Sequence, residues 1–176
     1  VEMPEISADH YITDWEKTHK TSHISVQDGF KISSNYVFRR LVLDHYGDNP
    51  QKFIDRLYGY KLNNAYEFDL EEKGGTKSRV PNPGTSSWSR STLPSTAIGY
   101  SVMETPLNIV TFYNTIANNG KMMKPYLIDA IEKGGKIEKR FKPEVLNGSI
   151  CSKATADSIT RALRRVSEEG TAKRLK

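Results

Sequence analysis

Residues 105–120 read TPLNIVTFYNTIANNG, and this stretch decides the fold class. Thr105-Pro106 is an N-cap followed by a proline at the first helical position, where its missing N–H leaves nothing unsatisfied. Asn119-Gly120 is a stop of the kind that ends helices. Between them Leu107, Ile109, Val110, Phe112, Tyr113, Ile116 and Ala117 are apolar on nearly every side, a pattern that predicts burial all round. Each such large side chain contributes roughly 1.5–3 kcal/mol when fully buried. The helix is therefore expected at the centre of the core, and its disruption is expected to unfold the chain.

Helical signals dominate on the N-terminal side of this stretch. Ser25-Val26-Gln27-Asp28 has the form of a capping box with Asp in the Glu position, and Val26 with Phe30 makes an i, i+4 apolar pair, so a short helix is expected to end near Ile32. Asn35 to Tyr46 puts Val37, Phe38, Leu41 and Val42 on one stripe, with Gly47 as a C′ residue. Asn49-Pro50 opens a third helix whose apolar face is Phe53, Ile54, Leu57 and Tyr58, ending at Gly59. From Tyr60 to Ala97 the periodicity disappears, and a long loop is expected. Loops of that length tend to be functional or supported by a larger body.

On the C-terminal side, Tyr126–Ile131 and Lys136–Phe141 alternate around Gly134-Gly135 as a β-hairpin does. Ser152 caps a last helix with Ala156, Ile159, Leu163 and Val166 on one face and Gly170 at its end. The class that follows is α+β and helix-rich, with one small hairpin, in a single domain over residues 1–176. No internal repeat is present.

Composition bounds the function. At 176 residues and 36% hydrophobic content the chain is expected to fold, although it is lean in core-forming residues. It starts at Val1 and stops in a basic run, which is expected of a segment cut from a longer protein. No apolar run is long enough to span a bilayer, and the polar opening is no export signal, so the segment itself is expected to be soluble. Cys151 stands alone, so no internal disulfide or cysteine-based zinc site is expected. Of the net charge of +5, most lies in residues 161–176, which hold six Lys or Arg against two Glu, a balance of +4. A nucleic-acid contact through Arg161, Arg164, Arg165 and the terminal lysines is one reading of that tail, and a basic helix end is the plainer one. No nucleic-acid partner is expected.

The chemistry-bearing residues are few. His19 and His23 have the i, i+4 spacing of two metal ligands on a helix, but Lys20 stands where a zinc-protease pattern needs Glu, so no metal is expected. His10 and His45 have no evident partners. Asn147-Gly148-Ser149 is formally a glycosylation sequon and reads equally as a turn. Gly74-Gly75 and Gly134-Gly135 lack the strand and helix context of a phosphate-binding loop, and no cofactor is expected. Ser33-Ser34-Asn35, at the junction of the first two helices, is on its own what capping physics selects.

Its surroundings change that reading. HISVQDGFKISSNYVF, residues 23–38, resembles the helix leading into the S-x-N motif of the transpeptidase domain of class B penicillin-binding proteins, the cross-linking enzymes of division and elongation. STAIGYSVMETPLNIVTFYNTIANNGKMMKPYLI, residues 95–128, resembles the segment that the family writes as GYG, TPLQ and an apolar helix ending ANGG. SEEGTAKRLK, residues 167–176, resembles the Gly-Thr-Ala turn before the family's third motif. Two positions depart from the pattern: Ser101 replaces the second glycine of GYG, and Asn108 replaces the Gln of TPLQ. A larger departure concerns the other motifs, S-x-x-K and K-[ST]-G. No Ser stands three residues before any Lys here, and the nearest approach to K-[ST]-G is Lys77-Ser78-Arg79.

The resemblance implies the helical part of a penicillin-binding, β-lactamase-like serine acyltransferase fold, in which helices pack on a five-stranded sheet. It implies acyl transfer through a serine ester to a peptidoglycan stem peptide ending in D-Ala-D-Ala, with β-lactams as substrate mimics. Ser33 would relay a proton beside the lysine of S-x-x-K, and Asn35 would present its amide to the substrate backbone. It further implies a parent protein anchored in the bacterial cytoplasmic membrane with a periplasmic catalytic domain. The segment alone is expected to be inert, and self-association through the apolar helix is an expectation. A non-catalytic interaction or scaffold module built from the same helices is the alternative.

Overall fold

The computed structural model describes residues 24–64, 66 and 78–175. His10, His19, His23, Gly74, Gly75, Lys77 and Lys176, all weighed above, lie outside the described residues. Two compact units emerge along the chain: one comprises residues 24–56, 81–102 and 158–175, the other residues 57–64, 66, 78–80 and 103–157.

In the first unit, α1 (Val26–Lys31) is capped by Ser25, whose hydroxyl accepts from the Asp28 N–H, and it ends at Ile32. Helix α2 (Asn35–Tyr46) follows after three residues, Ile32, Ser33 and Ser34. A Cβ on Gly29 would lie 2.7 Å from Val37 Cγ2, so only glycine lets α1 come this close to the fully buried Val37 of α2. Phe30 and Phe38 add an edge-to-face pair, with ring centroids 5.6 Å apart. Gly47 caps α2 in a right-handed conformation (φ −56°), not as the left-handed C′ residue expected from sequence. Helix α3 (Pro50–Gly59) buries Ile54 completely.

Among its described residues, the stretch expected to be a long loop contains a helical turn, α4 (Thr92–Thr96), packed on α2. Thr92, Leu93, Pro94 and Thr96 are buried there. Five residues are too few to show a 3.6-residue period, which is why the sequence reads as irregular. Pro94 is tolerated because the first turn of a helix needs no N–H donor. The Thr96 hydroxyl donates to the Thr92 carbonyl at 2.8 Å and stays satisfied while buried.

In the second unit, α5 (Pro106–Ala117) has the predicted bounds, with Thr105 accepting from the Asn108 N–H and with Asn119 and Gly120 at positive φ after it. Its orientation overturns the expectation of burial on every side. Ile109, Val110 and Tyr113 are 45%, 54% and 50% exposed, while Asn108, Thr111, Thr115 and Ile116 are buried. Polar residues on the inner face find partners there: Thr115 donates to the Thr111 carbonyl at 2.7 Å, and Asn108 bonds in several directions. Asn118, Asn114, Lys121 and Lys124 help line a groove of about 380 Å³ beside the end of this helix.

Strand β1 (Met122–Met123) pairs antiparallel with β4 (Val145–Asn147), a two-stranded element that the sequence did not announce. Strands β2 (Ala130–Lys133) and β3 (Lys136–Arg140) form the predicted hairpin around Gly134 and Gly135, both at positive φ, with an irregularity between Ile131 and Glu132. Helix α6 (Lys153–Glu168) starts after Ser152, whose hydroxyl accepts from the Thr155 N–H at 3.1 Å. The chain then turns through Gly170 into a short 3-10 helix, Lys173–Leu175. Among the described residues, no helix is long and apolar enough to cross a membrane.

Candidate active site

The turn between α1 and α2 is built by three backbone hydrogen bonds. Ile32 N–H donates to the Asp28 carbonyl at 3.0 Å, Ser33 N–H to Phe30 at 3.0 Å, and Ser34 N–H to Gly29 at 2.8 Å. This tight closure leaves Ser33 at φ 56°, in the left-handed region that side chains other than glycine seldom occupy. The chain then enters α2 at once. Ser34 is 1% exposed and turns its hydroxyl inward, accepting from the Val37 N–H at 3.3 Å. The middle residue of the triplet therefore does the capping, and Ser33 is released from it.

Ser33 is exposed, and Asn35, the first residue of α2, is half-buried. The two residues singled out from sequence thus flank the cap on one turn. Their neighbour comes from the far end of the chain. Thr171 Oγ1 lies 3.0 Å from Ser33 Oγ, and either hydroxyl can be the donor.

Four features hold Thr171 there. Its N–H donates to the Lys31 carbonyl at 3.4 Å. Gly170 passes so close to that carbonyl that a Cβ on it would overlap the Lys31 oxygen. Arg165 of α6 donates to Asp28 of α1 at 3.0 Å, and Lys31 stands 3.7 Å from Glu169. Two further contacts, Lys31–Asp28 at 3.3 Å and Arg165–Glu169 at 3.6 Å, close these four charges into a network. The Ser25 hydroxyl, then Lys31 and Arg165, hold the Asp28 carboxyl below its ordinary value, against a small opposing effect of burial.

Sequence reasoning quoted Gly170-Thr171-Ala172 as a landmark but gave Thr171 no part in the site. Only the 138-residue separation between Ser33 and Thr171 hid it. Among the described residues no group of three or more His, Cys, Asp or Glu is placed to hold a metal ion.

A second polar cluster lies in the other unit. The Asn108 side-chain nitrogen has three acceptors for its two N–H donors, the Asn64 carbonyl at 2.8 Å, Ser78 Oγ at 2.7 Å and Glu104 Oε2 at 3.2 Å, the last and longest sharing a hydrogen with one of the others. Burial pushes the Glu104 carboxyl up, and the Ser78 and Asn108 hydrogen bonds pull it partly back. Burial likewise raises the Tyr66 hydroxyl, with Thr111 opposing and Glu104 adding to the rise. Ser78 is thus a buried partner of Asn108, and Arg79 pairs with Met103 in a β-bridge.

Comparison with known proteins defines the class. The family model described as the penicillin binding protein transpeptidase domain matches residues 4–176. The chain belongs to that family. It is 36% identical over 82 residues to penicillin-binding protein 2A of Bacillus subtilis, a match covering 43% of this chain and 12% of that protein. Penicillin-binding protein 2B of Streptococcus pneumoniae superposes with a TM-score of 0.75 at 18% identity, over 91% of this chain and 29% of that one. Penicillin-binding protein 3 of Mycobacterium tuberculosis, solved with aztreonam, gives 0.67 at 25% identity, over 82% of this chain and 30% of that one. The mixed helical and small-sheet architecture is that of these transpeptidase domains, and the chain spans less than a third of each of the three relatives.

Proposed function

We propose that this chain is part of a peptidoglycan D,D-transpeptidase domain, one domain extending over residues 1–176, in which Ser33 and Asn35 line the acyl-transfer site. The observation that carries this reading is the division of labour in the turn. Ser34 takes the cap, leaving Ser33 exposed and Asn35 half-buried beside it.

In this reading the serine of an S-x-x-K motif attacks the penultimate D-Ala carbonyl of a stem peptide. A serine ester forms, the peptide bond to the terminal D-Ala breaks, and the departing nitrogen must gain a proton. The Ser33 hydroxyl supplies it and is itself reprotonated by the lysine of the same motif, so the hydroxyl is regenerated. Asn35 offers the substrate backbone a donor and an acceptor together. An amine of a second stem peptide then takes the acyl group. β-Lactams enter as mimics of the D-Ala-D-Ala end, in a protein anchored in the cytoplasmic membrane with its catalytic domain on the periplasmic side. No cofactor is needed for this chemistry.

General acid–base help multiplies a nucleophile's reaction and replaces none. Because these 176 residues hold no S-x-x-K, the chain by itself forms no covalent adduct with a penicillin, and an intact-mass increase of one penicillin would sink that claim. The same feature favours one second reading, a non-catalytic scaffold module. Sequencing the gene on both sides separates the two: S-x-x-K before and K-[ST]-G after make an enzyme, and neither makes a scaffold. The exposed Ile109, Val110 and Tyr113 support self-association of the isolated chain, which light scattering showing a monodisperse monomer would count against.

A further inference from the structure

We infer that Thr171 is a positioning residue of the site, fixing the Ser33 hydroxyl as a proton relay; this rests on the transpeptidase reading above. A serine hydroxyl has one proton and two lone pairs. To pass a proton, its oxygen must accept from the lysine ammonium on one side and donate to the departing nitrogen on the other. That uses the proton and one lone pair, and leaves one lone pair to be filled. The Thr171 hydroxyl, 3.0 Å away, fills it by donating to Ser33 Oγ. The three directions around the oxygen are then assigned, and a hydroxyl that would otherwise rotate freely is aimed. Thr171 gives up no proton in the cycle, so the balance of the transfer is unchanged.

The backbone supports this role. A left-handed serine is an unfavourable local choice that persists only where the surroundings impose it. Here the surroundings include the turn bearing Thr171. It is tied to the same short loop by the Lys31 carbonyl, by the contact that only a glycine at 170 permits, and by the four-charge network of Asp28, Lys31, Arg165 and Glu169. An exposed pair of hydroxyls gains little stability, because water competes for both partners. A close approach this well braced around so weak a bond is explained by geometry needed at Ser33.

The test uses the full-length protein that carries this segment and measures the rate of acylation by a fluorescent penicillin. Thr171→Val keeps the shape and removes the hydroxyl; it is expected to slow acylation about two- to tenfold, the factor that one hydrogen bond of ordinary net strength is worth. Thr171→Ser, which keeps the donor, is expected to restore most of the rate. In a Ser33→Ala background, Thr171→Val is expected to change nothing further. Melting temperatures separate this from a structural role, since a merely structural Thr171 would lower the melting point and add its effect to that of Ser33→Ala. If Ser33→Ala is slow while Thr171→Val acylates at the wild-type rate, the positioning role is overturned and the transpeptidase reading stands. If Ser33→Ala acylates normally, or the wild type takes no penicillin, the reading itself fails and takes the positioning role with it.

Discussion

Ser33 Oγ and Thr171 Oγ1 stand 3.0 Å apart although 138 residues separate them, and Ser33 makes the contact from a left-handed backbone. Left-handed conformation disfavours a side chain with a Cβ by roughly 1–2 kcal/mol relative to glycine. Ser33→Gly is therefore expected to leave the protein as stable as before or more so, by up to about 1 kcal/mol. Ser33→Ala, which keeps the strain, gains nothing. Both remove the hydroxyl and are expected to slow acylation of the full-length protein alike. Chemical denaturation beside the penicillin assay checks this, and a glycine variant clearly less stable than the alanine variant would contradict it.

Among the described glycines, Gly170 is where an added Cβ would come closest to another atom. A Cβ there overlaps the Lys31 carbonyl, and backbone cannot step aside as the end of a side chain can. Gly170→Ala is expected to lose about 1–3 kcal/mol, the usual range for overpacking. It should also break the hydroxyl pair, so that Thr171→Val has no further effect on the rate. Gly59, with nothing within 4 Å of where a Cβ would sit, is the control, and Gly59→Ala is expected to be neutral or slightly stabilising.

These two positions show what was legible in the sequence. Helix bounds were, because Ser25, Thr105 and Ser152 cap through contacts only three residues long. The Gly134-Gly135 hairpin was legible for the same reason, its turn being local. Resemblance alone singled out Ser33 and Asn35, and the structure adds why the residue between them is a serine: it is the cap. Thr171 was not legible as a partner, because nothing local links it to Ser33. The inner face of α5 was misread because apolar content was taken as burial. Asn108 and Thr115 lie inward because long-range or back-bonded partners satisfy them, and no hydropathy pattern contains those partners. Pairing of β1 with β4 was hidden likewise, being too short for any alternation to show.

The Asp28 network should behave as an acid-sensitive brace. Ser25, Lys31 and Arg165 lower the folded-state pKa of Asp28 below its ordinary 3.8, so its contribution is fully present above that value and is lost as pH falls through the lowered one. A double-mutant cycle with Asp28→Asn and Arg165→Met is expected to give the same coupling at pH 5 and pH 7, below about 1 kcal/mol for a pair this exposed, and a smaller one only under acid conditions. Coupling that already fades between pH 7 and pH 5 would mean that Asp28 is not the titrating partner.

Glu104 should act in the opposite sense. Burial raises its folded-state pKa above 4.5, so the folded protein holds the proton more tightly than the unfolded chain, and stability falls as pH rises through the interval between the two values. Asn108 moderates this by donating to Glu104 Oε2 while it also satisfies Asn64 and Ser78. Asn108→Leu removes the two N–H donors that Asn64, Ser78 and Glu104 share, and an unsatisfied buried group costs about 1–3 kcal/mol. The loss is expected to be larger at pH 8 than at pH 4, since only the ionised Glu104 suffers fully from the missing donor. Glu104→Gln in the same background removes the charge and is expected to flatten that difference. Urea denaturation of the four proteins at both pH values checks the argument, and an Asn108→Leu loss identical at pH 4 and pH 8 would show that the amide serves Asn64 and Ser78 alone.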